Sequence, residues 1–322
     1  GLANLKGVKY NKSGVNLVQN PDFTDTGGEI IDNPNFTDLP LGTDWTELNP
    51  TNTFGEHGLT MTSTEAADVR IKTDDGIVAD STSYKVTYTI HDVDLTGTNA
   101  IQYYTGSALN AYDDLPEQGV GTHTFYYTTP STVSSTNWFF RLDLRGGSTS
   151  TTDFVTISSI SVQELGEGWT LGTSWSIGED KAISDGTAGN YPLQQTIFSG
   201  SELGNYFKVQ YEITSYTSGI LLLRATGFHG AVAIDNSVGV HTLYLEATTT
   251  STDLVFITEA SGFIGSITNI IVEKQGLATY EGTETVLDHI HNLIEKLHVA
   301  DVWSNTDIQL KFYEDFIGKE YK

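Results

Sequence analysis

The 322-residue sequence predicts an all-β protein, built from two copies of one sandwich-sized domain and closed by a short helical C-terminal segment. Three observations carry that expectation. Threonine, which is β-branched and suits the solvated side of a strand, accounts for 45 residues. Apolar and polar residues alternate through 84–90, 123–127 and 154–162. In the first run this puts Tyr84, Val86, Tyr88 and Ile90 on one side and Lys85, Thr87 and Thr89 on the other. The third observation is an internal repeat.

Four segments recur in the same order. Residues 84–90 match 207–213, 119–126 match 238–244 around His123 and His241, 137–142 match 253–257, and 154–166 match 263–276. The offset falls from 123 at Lys85 and Lys208 to 118 at the histidines and 110 at Val162 and Val272. Both copies also open with Gly-Thr-x-Trp, at Gly42 to Trp45 and Gly172 to Trp175. The boundaries read as an N-terminal arm with first strands (1–45), sandwich 1 (46–165), sandwich 2 (166–276) and a C-terminal helical or attachment segment (277–322). His123 and His241 are expected to hydrogen-bond within their own sandwiches. Trp45, Trp138 and Trp175 are expected to pack in cores.

The flanks differ from the repeats. Lys6, Lys9 and Lys12 make a cationic arm on a chain whose net charge is −25. Two short segments follow, each with Asn-Pro-x-Phe, at Asn20 to Phe23 and Asn33 to Phe36. Near the other end, Val286, Ile290, Leu293 and Leu297 recur at spacings of four, three and four, and Leu287 and Ile294 widen the stripe. This predicts an amphipathic helix capped at Thr283 or Thr285, too short to stand alone and therefore an assembly or docking element. Residues 301–322 read either as a strand at 308–313 or as a second helix.

Composition excludes several functions. With no cysteine there is no disulfide and no thiolate chemistry. Forty-one acidic against 16 basic residues argue against a nucleic-acid partner, since phosphate binding rests on Lys and Arg. No run of 18 apolar residues occurs, so no membrane span is expected. The acidic pairs Asp74-Asp75, Asp113-Asp114 and Glu314-Asp315 read as exposed turns, not as a glycosidase pair across a cleft. His291, Glu295 and His298 share a helical face with the spacing of a solvated polar side. No phosphate loop, dinucleotide fingerprint or Gly-x-Ser-x-Gly is present. The chain is therefore not expected to be an enzyme, and no cofactor or metal is expected.

Residues Asn16 to Phe23 (Asn-Leu-Val-Gln-Asn-Pro-Asp-Phe), the later Gly42 to Trp45, and the closing strand at 157–162 resemble jelly-roll carbohydrate-binding modules. The resemblance covers both repeats and implies two tandem jelly-roll β-sandwiches. Those modules often place an acidic calcium ligand in the last strand. Here Ser158 and Thr268 stand at that position, so a calcium site of that type is not expected. Asp22, Asp25 and Asp32 read as turn carboxylates. Sugar recognition on such a sandwich uses aromatic rings on one side of a sheet, and the candidates are Tyr103, Tyr104 and Tyr112. Strand alternation lets only one of Tyr103 and Tyr104 face a ligand.

No apolar core of a signal peptide occurs in the first 30 positions. Sandwiches of this type made in the cytosol without an attached enzyme resemble components of tailed-phage virions. The expected role is a virion structural protein on the particle exterior: a capsid decoration, head fibre or tail appendage. Its expected partners are other virion proteins, further copies of itself as a homo-oligomer, and a host-surface glycan. The alternative is a tandem carbohydrate-binding fragment of a secreted bacterial glycan-degrading enzyme or adhesin.

Overall fold

The computed structural model describes residues 8–11, 15–37, 44–48, 52–63, 69–74, 76–106, 111–143, 152–223 and 227–279. Twenty strands and no helix occur among them. They are β1 (Val8–Asn11), β2 (Thr26–Glu29), β3 (Trp45–Leu48), β4 (Asn52–Gly55), β5 (Gly58–Thr62), β6 (Val69–Thr73), β7 (Ser83–Asp94), β8 (Ala100–Tyr104), β9 (Tyr112–Asp114) and β10 (Gly121–Thr128). The remainder are β11 (Phe139–Asp143), β12 (Phe154–Leu165), β13 (Thr170–Leu171), β14 (Trp175–Gly178), β15 (Lys181–Asp185), β16 (Pro192–Thr196), β17 (Tyr206–Leu223), β18 (Val232–Ala233), β19 (Gly239–Glu246) and β20 (Asp253–Thr279).

The chain divides into two compact units, residues 15–273 and a second made of 1–14 with 274–322. Within the second unit β1 pairs antiparallel with 276–279, so Lys9 falls on a strand opposite Ala278. Lys6, Lys12, Val286, Leu287, Ile290, Leu293, Ile294, Leu297 and the His291/Glu295/His298 face lie outside the described residues.

The larger unit holds two cores. In sandwich 1 a sheet ordered β10-β7-β12-β5-β4, with β2 along β12, faces a sheet ordered β3-β6-β11-β8-β9. Tyr84, Val86, Tyr88 and Ile90 of β7 point inward, as their alternation predicts, and meet Ile71, Ile101, Phe140 and Leu142 from the other sheet. Burying one such side chain is worth roughly 1.5–3 kcal/mol. Trp45 and Trp138 lie in this core, and Trp175 lies in the other.

Sandwich 2 repeats the arrangement with fewer, longer strands. β17 pairs β19 through 206–213 and β18 through 222–223, so it does the work of β7 and β8. β20 pairs β16 through 253–257 and β15 through 264–267, so it does the work of β11 and β12. Where β17 turns from one sheet to the other, Gly219 has a φ of +86° and sits against the backbone of Gly262, itself at +77°. A side chain at Gly219 would collide with the Gly262 carbonyl.

The repeat holds in register. His123 lies opposite Tyr88 and His241 opposite Tyr211. Each imidazole Nε2 donates to a backbone carbonyl four residues earlier, Gly119 at 2.8 Å and Ser237 at 2.7 Å. Each tyrosine hydroxyl donates to a loop carbonyl, Tyr88 to Glu117 and Tyr211 to Asp235. The next residue in each loop, Gln118 or Asn236, accepts the amide of Ile101 or Leu221 at 2.9 and 2.8 Å. This satisfies a backbone donor that burial would otherwise leave unpaired.

Two expectations need correction. The segment from Asn16 to Phe23 does not open the first copy: Val18 and Phe23 are buried in the second core. Leu17 N donates to Val272 O at 2.9 Å, Ile270 N to Pro21 O at 2.9 Å, and Asn16 Oδ1 accepts Val18 N and Val272 N. Thirteen residues on, the same device serves sandwich 1. Ile30 N donates to Val162 O at 3.1 Å, Ile160 N to Pro34 O at 2.8 Å, and Glu29 Oε1 accepts Ile31 N and Val162 N. The sandwiches are therefore nested, not strictly tandem: sandwich 1 is inserted between the first segment of sandwich 2 and the rest of it.

The second correction concerns Trp45, whose counterpart is Trp169 and not Trp175. Trp45 opens β3 and packs on Phe36 at 5.3 Å, and Trp169 precedes β13 and packs on Phe23 at 5.2 Å, both ring pairs tilted. The shared Gly-Thr-x-Trp is a coincidence of composition, because Trp175 begins the β14 hairpin strand instead.

Candidate functional site

The side of the β3-β6-β11-β8-β9 sheet that faces away from the core carries the most chemistry on the described surface. Strand alternation sends Ile71, Phe140 and Ile101 inward and their neighbours outward. One outward row runs Arg70, Arg141, Gln102, Asp114 across four strands, each opposite the next. The adjacent row holds Lys72 opposite Phe139 and Tyr104 opposite Tyr112. Three of the chain's 16 basic residues thus share one sheet face of a strongly acidic protein.

The groups brace one another. Arg141 Nε donates to Gln102 Oε1 at 2.9 Å, Gln102 Nε2 donates to Asp114 Oδ1 at 2.7 Å, and Arg141 pairs with Asp143 at 3.0 Å. The Arg141 guanidinium lies 4.3 Å from the Tyr112 ring centre and that of Arg70 lies 5.7 Å from it. Tyr112 and Phe139 meet edge-on at 6.4 Å over Tyr104, which is 2% exposed. Such a set presents rings for stacking, and planar N–H donors beside carboxylate acceptors, already held in place before a ligand arrives.

The three tyrosines expected at a ligand site are separated by this geometry. Tyr103 turns inward onto Phe125 at 4.6 Å and Tyr127 at 5.4 Å, and burial, helped by the Asp113 charge, pushes its hydroxyl up to about 12. Tyr104 is outward but sealed beneath its neighbours, and its pKa is raised by burial first and by Tyr112 second. Tyr112 is half-buried on the outer face beside the two arginines. Arg70, Arg141 and Gln102 were not anticipated from the sequence. They lie on three strands, and only the outward cations of 69–73 and 139–143 in a cation-poor chain pointed to them.

The equivalent face of sandwich 2 is different. Pro192 stands for Arg70, Ile257 for Arg141, Leu222 for Gln102 and Ala233 for Asp114, on the pairings of β16, β20, β17 and β18. Ala231 takes the place of Tyr112. With that ring gone, a cleft of about 400 Å³ opens, lined by Asn190, Leu222, Ala231, Glu259 and Ala260.

The acidic pair Asp113-Asp114 falls on edge strand β9, not in a turn, and Asp114 is an acceptor for Gln102. Asp75, Glu314 and Asp315 are outside the described residues. Ser158 Oγ and Thr268 Oγ1, at the positions where a calcium ligand would stand, donate to backbone carbonyls.

No protein-family model and no curated protein sequence matches the chain. Solved structures similar to it include an F-lectin (fucolectin) from striped bass serum, at 9% identity over 79% of this chain and 96% of that one, with a TM-score of 0.24. Two allantoicase structures, one from Saccharomyces cerevisiae, are each 10% identical over 66% of this chain and 78% of theirs, with TM-scores of 0.26 and 0.27. Likeness at that level carries no argument about function.

Proposed function

We propose that the chain is a non-catalytic binding and structural protein that takes a glycan on the outer face of sandwich 1 and forms part of the exterior of a bacteriophage virion, as a capsid decoration, head fibre or tail appendage. The single observation behind the binding half is the braced set Arg70, Arg141, Gln102 and Tyr112 on a sheet face that the core does not need. Tyr112 and Phe139 offer apolar ring surface to pyranose C–H groups, and the guanidinium and amide groups offer donors to hydroxyl or carboxylate oxygens. The virion half is supported by the sequence: repeated carbohydrate-binding-like sandwiches, high acidity, and no cysteine.

Glycan-array screening followed by calorimetry on Tyr112→Ala and Arg141→Ala tests the first half. Each variant is expected to weaken binding by about tenfold or more while its melting temperature stays near that of the parent. Unchanged binding in both would remove this face from the site. For the second half, the chain is expected to co-purify with intact particles at a fixed copy number, and its absence from purified particles would sink that assignment.

A further inference from the structure

Inside the chain, the β14–β15 hairpin of sandwich 2 docks on sandwich 1. Ile177 N donates to Ser83 Oγ at 2.9 Å, and Gly178 lies so close to Tyr126 of β10 that a Cβ there would sit 3.0 Å from the tyrosine's own. The turn carboxylates Asp180 and Glu179 are near enough to raise the Tyr126 pKa after burial does. Three of the four β14 residues, Trp175, Ile177 and Gly178, are buried.

Both halves of that contact exist a second time, and among the described residues neither is covered. The β4–β5 hairpin of sandwich 1 has the same register: Gly55 pairs with Gly58 as Gly178 pairs with Lys181. Phe54 and Gly55 therefore stand where Ile177 and Gly178 stand. Here no residue of the strand is buried, and a Cβ on Gly55 would meet nothing within 4 Å. The receiving face recurs on β19 of sandwich 2, where Tyr244 occupies the position of Tyr126. It is 68% exposed against 37% for Tyr126. Around it, Val240 replaces Thr122 and Tyr206 replaces Ser83, at 61% and 51% exposure. This second face thus exposes larger side chains than the filled one, and sets them beside Glu212, opposite Val240, and Glu246, opposite Tyr206, where the filled face has Thr89 and Thr128.

We propose that copies of this chain associate head to tail, the Phe54–Gly55 hairpin of one copy seating on the Val240/Tyr244/Tyr206 face of another, in the placement by which the sandwiches meet within a chain but with Tyr206 ring packing in place of the Ser83 hydrogen bond. The two surfaces lie on different sandwiches, so the contact is heterologous and propagates into a filament or closes into a ring. His57 stands where Asp180 stands, so the hairpin brings one carboxylate, Glu56, to a face that carries Glu212 and Glu246. Because each copy carries a net charge of −25, association strengthens as salt screens the repulsion. The contact is independent of any glycan site.

Sedimentation velocity of the full chain over a dilution series, at low and moderate salt, reads this directly. The parent is expected to grow in mass with concentration. Gly55→Arg and Tyr244→Ser, each at an exposed position, are expected to weaken association at least about tenfold with unchanged melting temperatures. An equimolar mixture of the two variants is expected to form dimers and stop there, since one intact hairpin meets one intact face. A parent that stays monomeric at every concentration and salt overturns the proposal, and would leave Tyr244 to a segment of the same chain or to another protein. Oligomers that persist in both variants, or a mixture that stays monomeric, overturn it equally.

Discussion

Sandwich 1 and sandwich 2 agree where backbone groups must be satisfied and diverge where nothing inside depends on the side chain. The His/Tyr pair on the long strands, the amide acceptor at Gln118 or Asn236, and the clamp at Asn16 or Glu29 recur with distances within a few tenths of an ångström. The outward row of the smaller sheet does not recur: Arg70, Arg141, Gln102 and Asp114 become Pro192, Ile257, Leu222 and Ala233. The lesson is that the inward apolar pattern and the acceptors for backbone groups recur with the fold, while the outer faces are free to acquire separate chemistries.

The largest expected difference lies at the sheet-to-sheet corner. Gly219 and Gly97 occupy the same connection in the two sandwiches, both at positive φ, but only Gly219 abuts another backbone. Gly219→Ala is expected to cost about 3 kcal/mol through collision and strain. Gly97→Ala, with open space around it, is expected to cost about 1–2 kcal/mol from φ alone. Urea titration of the two variants compares them, and equal losses would show that the continuous strand is not the source of the constraint.

The clamps are expected to be of similar worth. Asn16→Ala strips acceptors from Val18 N and Val272 N, and Glu29→Ala strips them from Ile31 N and Val162 N. Each is expected to lose about 1–3 kcal/mol, with Asn16→Ala the costlier because Asn16 is half-buried and Glu29 is exposed. The reverse order in denaturant midpoints would break the equivalence.

The smallest difference is one of pH. Burial raises the hydroxyls of Tyr84, Tyr88, Tyr103 and Tyr127 in sandwich 1, and of Tyr211 in sandwich 2, with Tyr103 and Tyr211 both at about 12. The folded state holds these protons where the unfolded chain releases them near pH 10, as phenols do at about that pH. Their stabilisation is therefore intact below about pH 10 and is lost at higher pH, for Tyr103 and Tyr211 as pH rises through about 12. Sandwich 1, with more such tyrosines, is expected to open first on alkaline titration followed by hydrogen exchange. Free phenolate absorbance near pH 10 with full protection in both sandwiches would contradict this.

Much of the fold was legible because alternation survives in both copies. The matches of 84–90 with 207–213 and of 137–142 with 253–257 are the observed strand equivalences, down to Trp138 with Leu254 and Phe140 with Phe256 as inward residues. The nesting was not legible. Two Asn-Pro-x-Phe segments lie side by side in sequence, and chain order assigns both to the nearer sandwich. Long-range pairings such as Leu17 with Val272, more than 250 residues apart, show otherwise. The outer face was half legible. Alternation limits Tyr103 and Tyr104 to opposite sides but does not say which is outward, and Arg70 and Arg141 come together only through strand pairing.

The nested order also decides how the molecule carries load. Tension applied between Val15 and Glu273 enters and leaves through neighbouring residues, Asn16 and Val272, that are hydrogen-bonded to each other. The pull closes through that seam of sandwich 2, and sandwich 1 hangs outside the loaded path as an unstretched side loop. Held at both ends of this unit, the chain would keep its Arg70/Arg141/Tyr112 face undistorted under shear until the Asn16–Val272 seam had torn.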